Sequence, residues 1–169
     1  IERYRKQLLA ALVGQFQPRG ILLRGDSRSR REQGLPGGAE VVHGDVPEQV
    51  QLEENGVRFL APVHGGQKTG WFYDHRMSRA RLAPWVGGKS VLDVYSYIGG
   101  WGIQAAAFGA SAVCCLDSSA QALEGVTANA ELNGLQDRVT TLRGSAPETM
   151  AALRTQGQHF DVVILDPPA

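Results

Sequence analysis

Val91-Leu92-Asp93-Val94-Tyr95-Ser96-Tyr97-Ile98-Gly99-Gly100-Trp101-Gly102 is the stretch that decides the fold of this chain. Its apolar start predicts a buried β-strand that carries Asp93 near its end, and the glycines that follow predict a tight turn that opens a helix. Ligands of open α/β sheets bind in the crevice outside the carboxyl ends of the strands, where glycine lets a ligand approach the backbone closely. We therefore expect a ligand site at this turn.

Strands and helices alternate on both sides of this turn. The predicted strands are 89–94, 111–116, 139–142 and 160–165, and the predicted helices are 101–108, 119–133 and 147–155. This alternation predicts a parallel, doubly wound sheet in the order 3-2-1-4. The fourth strand would then be an apolar edge. The sequence thus predicts either a sheet truncated after strand 4, as in a fragment, or a homodimer that covers this edge.

A smaller α+β region precedes the alternating pattern. It comprises an amphipathic helix (3–16), a strand (21–24), a polar loop (25–38) and three short strand-like runs (39–43, 48–53 and 57–62). Glu54-Asn55-Gly56 predicts a hairpin turn between the last two runs. We expect a helix with a small antiparallel sheet, and a division into an α+β domain (1–82) and an α/β domain (83–169).

Composition indicates an ordinary globular protein. The chain has 169 residues, of which 43% are hydrophobic and 20% charged. Its longest apolar-rich stretch, 94–116, is interrupted by glycine and polar residues, which argues against a membrane span. No signal-peptide pattern opens the sequence. The adjacent Cys114 and Cys115 lie in a predicted buried strand and favour a reducing compartment, so we expect a cytoplasmic protein without membrane association.

Positive charge is concentrated in two segments of a chain whose formal net charge is +0. Residues 1–31 hold eight Lys and Arg against two acids, and residues 68–89 hold five against one. Such segments are compatible with contact to a phosphate backbone. Arg76, Arg79 and Arg81 are the candidates for RNA contact, although a solvated helix face would give the same pattern.

The acidic residues after successive strands indicate the kind of ligand. Asp93 would repel a pyrophosphate but suits the cationic end of S-adenosylmethionine (SAM), and the dinucleotide fingerprint G-x-G-x-x-G is absent. Asp117, after the second strand, could accept hydrogen bonds from both ribose hydroxyls, with Ser118 sharing the role. The alternative for both is capping of the next helix. These features favour SAM over a nicotinamide cofactor.

Asp166-Pro167-Pro168 follows the fourth strand. The prolines fix the backbone and remove N–H donors, so this loop can present carbonyls and one carboxylate to the edge of a planar base. Asp166 and Pro167 are the candidate catalytic residues, and the alternative is that Asp-Pro-Pro only terminates the strand. Together with Asp93 and the glycine turn, this segment predicts a methyltransferase.

These segments resemble the RlmI/RlmK-type large-subunit rRNA methyltransferases, a class I SAM-dependent family. Family members show a G-Q-K-T-G-aromatic-aromatic-x-D-Q-R segment, V-L-D-x-F-x-Y-x-G-G, an acid and Ser after the second strand, N-x-x-x-N-G-L, and F-D-x-x-x-x-D-P-P. The matching segments here are Gly66–Arg76, Val91–Gly100, Val113–Ser118, Asn129–Leu135 and Phe160–Pro168, with Ile21–Leu35 similar to a further family stretch.

The resemblance implies a Rossmann-like fold, SAM as cofactor and ribosomal RNA as partner. The cofactor-binding positions it implies are Lys68, Thr69, Asp93, Tyr95, Tyr97, Gly99, Gly100, Asp117, Ser118 and Ser145. The sequence departs from the family at Ser145, where an Asp is usual, at His75, where Gln is usual, and at Ser96, where many members have Cys. Isolated histidines show no metal-ligand spacing, so no metal is expected.

Two target atoms are compatible with this resemblance. Methylation of C5 of a 23S rRNA cytosine uses a nucleophilic Cys, which the family carries beyond the end of this chain. Methylation of a guanine nitrogen needs no covalent step. A chain that binds SAM or RNA without catalysis, a methyltransferase acting on a small molecule or a protein, and a nicotinamide-dependent oxidoreductase remain the alternatives.

Overall fold

The computed structural model describes residues 2–25, 28–35, 37–65 and 70–167. The chain divides into two compact units, Ile1–Glu48 and Gln49–Ala169. No helix within the described ranges is both long and apolar enough to cross a membrane.

The first unit combines two helices with a two-stranded antiparallel sheet. Its elements are α1 (Arg5–Phe16), β1 (Gly20–Arg24), α2 (Arg28–Glu32) and β2 (Ala39–Gly44), with β1 paired to β2. Helix α1 ends at Gln17, which adopts a left-handed conformation (φ 45°) just before Pro18. The loop predicted at 25–38 is wrong in part, because α2 lies inside it.

The second unit opens with an antiparallel hairpin of β3 (Gln49–Glu54) and β4 (Val57–Pro62). Asn55 (φ 54°) and Gly56 (φ 79°) both have positive φ, as a two-residue type I′ turn requires, so the predicted hairpin turn is confirmed. The prediction of one small antiparallel sheet is wrong, because β2 pairs with β1 while β3 pairs with β4 in a separate sheet.

The rest of the second unit is the doubly wound α/β fold. After a 3-10 turn (Tyr73–His75) come α3 (Arg76–Ala80), α4 (Ala83–Val86), β5 (Ser90–Val94), α5 (Gly102–Ala107), β6 (Ala112–Asp117), α6 (Ala120–Leu132), β7 (Val139–Arg143), α7 (Ala146–Thr155) and β8 (Val162–Leu165). The three strand pairs of this four-stranded sheet are parallel, and the order β7-β6-β5-β8 confirms the predicted topology.

The central strands β5 and β6 are covered on both faces, which explains their apolar residues. One face packs Val91 and Val113 against Ile103 of α5 and Val126 of α6. The other face packs a second cluster that joins the sheet to α7: Leu92, Val94, Leu116 and Ala146, with Leu142, Met150, Leu153 and Phe160 against them. Strand β8 pairs with β5, and it leaves Val163 50% and Leu165 58% exposed.

The hairpin packs into the same core as the parallel sheet. Phe59 of β4 is fully buried in that core, and Trp71 packs against it with ring centroids 4.5 Å apart. Asn129 of α6 accepts a hydrogen bond from the Leu60 N–H (2.7 Å) and donates one to the Ile98 carbonyl (3.0 Å). The chain therefore divides into its compact units between residues 48 and 49, and the predicted domain boundary after residue 82 stays a prediction.

Candidate functional site

The carboxyl ends of β5, β6 and β8 meet at one edge of the sheet, where they border a cavity of about 650 Å³. The turn after β5 supplies one wall, the residues after β6 and β8 supply two more, and a segment before α4 closes the fourth side. The lining residues are Trp71, Phe72, His75, Arg79, Tyr95, Ser96, Tyr97, Ile98, Gly100, Trp101, Asp117, Ser118, Asp166 and Pro167. The crevice predicted from the sequence thus lies where a doubly wound sheet places its ligands.

The turn after β5 is held in an unusual backbone conformation. Tyr95 (φ 65°) and Tyr97 (φ 50°) are both left-handed, a conformation that costs a non-glycine residue about 1 kcal/mol. Hydrogen bonds from Ser96 N–H to the Leu116 carbonyl (3.1 Å) and from Gly99 N–H to the Ser96 carbonyl (2.8 Å) hold the turn. The two tyrosines therefore line the cavity on a fixed backbone.

Two glycines allow this turn to pack, although neither lines the cavity. Gly99 has φ 83°, and a Cβ there would lie 2.8 Å from Ile103 Cγ1. At Gly102, a Cβ would lie 2.5 Å from Cys115 Sγ and 3.0 Å from Asp93 Oδ2. The start of α5 can approach the sheet this closely because position 102 has no side chain.

Asp93 lies behind the turn and not in the cavity wall. Its side chain is fully buried, and its Oδ2 accepts a hydrogen bond from the Gly102 N–H at 2.8 Å. The pKa of Asp93 is raised to about 7: burial is the largest cause, the Gly102 N–H opposes it, and the charges of Asp166 and Asp117 add to the rise. Asp93 therefore supports the turn, and its predicted contact with the cofactor stays a prediction.

Asp117 is held at the end of β6 by two backbone donors. Tyr97 N–H donates to Oδ2 and Ser119 N–H to Oδ1, each at 2.9 Å. The helix cap itself is Ser119, whose Oγ accepts a hydrogen bond from the Ala122 N–H at 3.2 Å. Since each carboxylate oxygen has two lone pairs, Asp117 can still accept hydrogen bonds from a ligand.

Asp117 ends β6 and Asp166 follows β8, so the two acids lie on opposite sides of β5 in the sheet. The Trp101 indole donates to its Oδ2 at 3.0 Å, and His75 Nε2 lies 3.8 Å from the same oxygen. The His75 and Trp101 rings are tilted against each other with centroids 5.7 Å apart. A carboxylate beside two flat side chains is suited to the polar edge and the face of a planar base.

Arg79 differs from the sequence prediction. It is 3% exposed, and it donates to Glu54 Oε1 from Nε (2.6 Å), to Glu54 Oε2 (3.1 Å) and to the Phe72 carbonyl (2.6 Å). Arg79 is buried and paired with Glu54, so it is less accessible to an RNA phosphate than an exposed arginine would be. Of the three predicted arginines, Arg76 and Arg81 are exposed, and the predicted RNA contacts of all three stay predictions.

Three other predicted residues lie elsewhere. Lys68 and Thr69 fall outside the described residues. Ser145 is exposed at the start of α7 and does not line the cavity. Conversely, the sequence analysis missed Glu54, because a Glu in a hairpin gives no sign that it will be buried against Arg79.

The cavity suits a ligand with a cationic end and an adenosine. Ser96 lines the cavity, and its Oγ is buried and has no hydrogen-bond partner among the described residues. Asp117 and Asp166 add negative charge to the walls, and Tyr95, Tyr97 and Phe72 add aromatic surface. An ammonium group or ribose hydroxyls could donate hydrogen bonds to the polar groups of this wall, and its carboxylates would attract a positively charged sulfonium.

Comparison with known proteins agrees with this chemistry. A family model described as "S-adenosylmethionine-dependent methyltransferase" matches residues 11–169. Proteins named ribosomal RNA large subunit methyltransferase I are similar: the one from Shewanella amazonensis is 37% identical over 98% of this chain and 42% of its own length. The one from Vibrio cholerae is 39% identical over 98% of this chain and 43% of its own length.

Among solved structures, a SAM-dependent methyltransferase from Streptococcus mutans superposes with a TM-score of 0.85 at 24% identity, covering 99% of this chain and 43% of that one. At this identity the likeness concerns the fold. The chain thus spans less than half of the length of the relatives it matches.

Proposed function

This chain belongs to the S-adenosylmethionine-dependent methyltransferase family, and from that premise we propose that it contributes the cofactor site for methyl transfer to a base of large-subunit ribosomal RNA. The observation that carries the proposal is the cavity in which Asp117 and Asp166 stand at the ends of different strands, with the turn after β5 between them. One carboxylate is suited to a ribose and the other to an acceptor base.

The cofactor, when bound, supplies a methyl group on a positively charged sulfur. Asp117 would accept hydrogen bonds from the ribose, with Ser118 beside it, and Tyr95, Tyr97 and Gly100 would border the rest of the cofactor. Asp93 and Gly99 would act behind them by fixing the turn. In this proposal Lys68, Thr69 and Ser145 keep the cofactor role that the resemblance implies.

Asp166 and Pro167 would hold the acceptor base. The Trp101 indole fixes one Asp166 oxygen at 3.0 Å, so the carboxylate can accept hydrogen bonds from amino or imino groups of a base in a defined orientation. A base bound between Asp166 and the rings of His75 and Trp101 would displace water from the reacting atoms. Positioning and desolvation would then account for most of the rate enhancement, as expected for an in-line transfer.

Cytosine C5 of 23S rRNA is the first candidate for the methylated atom. That reaction needs a thiolate, and the two cysteines of this chain do not offer one. Burial raises the pKa of Cys114 and raises that of Cys115 well above its ordinary value, so both thiols stay protonated. A nucleophile for C5 would come from outside these 169 residues, whereas a guanine nitrogen would need none.

Binding of S-adenosylhomocysteine, measured by calorimetric titration, tests the cofactor site. We expect Asp117→Asn to weaken binding about tenfold, which corresponds to the loss of one charge-assisted hydrogen bond. Ser111→Ala, an exposed position at the other end of β6, should leave binding unchanged. Equal affinity for the unmutated chain and Asp117→Asn would contradict the proposed ribose contact.

A second candidate function is binding of SAM or RNA without catalysis. The observation that favours it is that this chain spans 42% of the length of the Shewanella amazonensis relative. Single-turnover transfer of a labelled methyl group to rRNA by the chain separates the two. Transfer would exclude the purely binding role. A cytoplasmic setting remains part of the proposal, and the two free cysteines support it.

A further inference from the structure

Residues 73–86 follow one nearly continuous helical path. The 3-10 turn at Tyr73–His75 leads directly into α3, and hydrogen bonds from the Leu82 N–H to the Arg79 carbonyl (3.0 Å) and from the Trp85 N–H to the Leu82 carbonyl (2.8 Å) continue it into α4. These bonds join residues three apart, so this part of the path is tighter than a regular α-helix. Arg79 and Val86 are its buried side chains.

Large side chains that the core does not use are exposed along the same segment. Tyr73, Met77 and Trp85 are 65%, 68% and 70% exposed, and Arg81 is exposed as well. These four residues, which we name the aromatic–basic face, follow one another at intervals of four. Large apolar side chains that are exposed close together are typical of an interaction site, whereas single exposed ones need no explanation.

The charge around the aromatic–basic face is positive. Between residues 70 and 89, Asp74 is the only acid, and the bases are Arg76, Arg79, Arg81 and Lys89. Glu54 neutralises Arg79 in the core, so the exposed cations are Arg76, Arg81 and Lys89. A polyanion is the complementary partner. Among polyanions, a nucleic acid also offers bases that stack on the exposed aromatic rings, which an acidic protein surface does not.

Exposed aromatic rings among cations are the means by which proteins bind unpaired nucleic acid strands. Each base stacks on a ring while the cations follow the phosphates. An RNA duplex hides the faces of its bases and offers mainly phosphates and hydroxyls. The three large side chains of the aromatic–basic face therefore favour a single strand.

The aromatic–basic face adjoins the cavity. His75 lies on the same helical path, between Tyr73 and Met77, and its ring lines the cavity beside Trp101 and Asp166. A strand lying on the aromatic–basic face would thus have one of its nucleotides within reach of the cavity.

We propose that Tyr73, Met77, Arg81 and Trp85 bind an unpaired RNA segment that flanks the target base. This inference rests on the proposed function for its choice of RNA. It adds that the substrate is an unpaired region and that the strand runs along α3 and α4 to the cavity.

The test compares a labelled single-stranded RNA with a duplex of the same length, by fluorescence anisotropy with the full chain. We expect the single strand to bind more tightly. Tyr73→Ala and Trp85→Ala should each weaken binding of the single strand about tenfold, with an unchanged dependence on salt. Arg81→Gln should weaken binding and lower the slope of log affinity against log salt by about 1.

Matched controls exist for both kinds of side chain. Phe16→Ala removes an aromatic ring that is 68% exposed in the first unit, and Arg138→Gln removes an exposed cation that precedes β7, at the end of the sheet opposite the cavity. Both should leave the affinity unchanged. Equal losses in controls and test variants, a preference for duplex, or full binding by Tyr73→Ala and Trp85→Ala would each overturn the proposal.

Two further measurements separate this proposal from its competitors. If the variants bind S-adenosylhomocysteine normally but lose RNA, the aromatic–basic face is supported whether or not methyl transfer is observed. If Trp85 is protected from acrylamide quenching in the RNA-free protein, the aromatic–basic face is already covered, and the proposal is overturned.

Discussion

Arg79 Nε lies 2.6 Å from Glu54 Oε1, and this ion pair is almost completely buried. Trp71 and Gln104 also donate to Glu54, at 3.0 Å each, and the Arg79 guanidinium lies 4.8 Å from the centre of the Trp71 ring. The pair therefore joins the β3–β4 hairpin to α3 and α5. Because Arg79 and Trp71 line the cavity, the hairpin helps to fix one of the cavity walls.

Glu54→Gln should destabilise the second unit by about 3 kcal/mol, because it leaves the Arg79 charge buried without its counter-ion. Chemical denaturation at neutral pH measures this change. The control is Glu53→Gln, an exposed neighbour on the same strand, which should change the free energy of unfolding by less than about 0.5 kcal/mol. Similar stability for the two variants would contradict a structural role for the pair.

Acid should weaken the same contact. Burial raises the pKa of Glu54, but hydrogen bonds from Arg79, Trp71 and Gln104 together with the Arg79 charge outweigh burial and leave the pKa below its ordinary value. The stabilisation is therefore present above the unfolded-state pKa and is lost as pH falls through the folded-state pKa. This loss should be absent in Glu54→Gln.

The buried Asp93 should give the opposite dependence on pH. Its pKa is about 7 in the folded chain against 3.8 in the unfolded one, so the folded state binds the extra proton between these values. Stability should fall as pH rises from about 4 to 7, by up to about 4 kcal/mol, and change little above that range. In Asp93→Asn this fall should disappear. Urea denaturation at several pH values measures it, and parallel curves for the two proteins would contradict the assignment.

Gly102→Ala should destabilise the chain by about 1–3 kcal/mol, since the new Cβ would lie 2.5 Å from Cys115 Sγ. Gly14→Ala is the matched control. A Cβ at position 14 meets nothing within 4 Å, and alanine is the better helix former, so this variant should be neutral or slightly stabilising. Thermal denaturation compares them. Unchanged stability in Gly102→Ala would mean that α5 does not approach the sheet this closely.

Strand β8 carries the prediction of a homodimer. Val163 and Leu165 are exposed on this strand, and among the described strands only β5 pairs with it. We expect the chain to self-associate in light scattering and Leu165→Lys to reduce that association, because a lysine at an edge opposes strand pairing. A monomer at every concentration tested would show that the edge does not pair with a second copy.

The sequence predicted most of the architecture because its signals are local. Alternating apolar runs and helical periodicity predicted the parallel sheet and its order, and Asn55-Gly56 predicted the hairpin turn through the positive φ that both residues adopt. Asn129 belonged to a recognised motif without an explanation. The structure supplies one, since its amide joins β4 of the hairpin to the turn after β5.

The sequence by itself determined the elements, their order in the sheet, the family resemblance and the acids at the strand ends, because periodicity, turn chemistry and short motifs lie within a few residues of one another. Only the tertiary structure decided which of those acids face the cavity and which arginines face solvent. Asp93 is buried behind the turn because α5 packs on it through Gly102. Arg79 is buried because its partner, Glu54, lies 25 residues away on a hairpin that folds onto the same core. Burial and pairing of charges depend on such distant contacts, and no local pattern in the sequence encodes them.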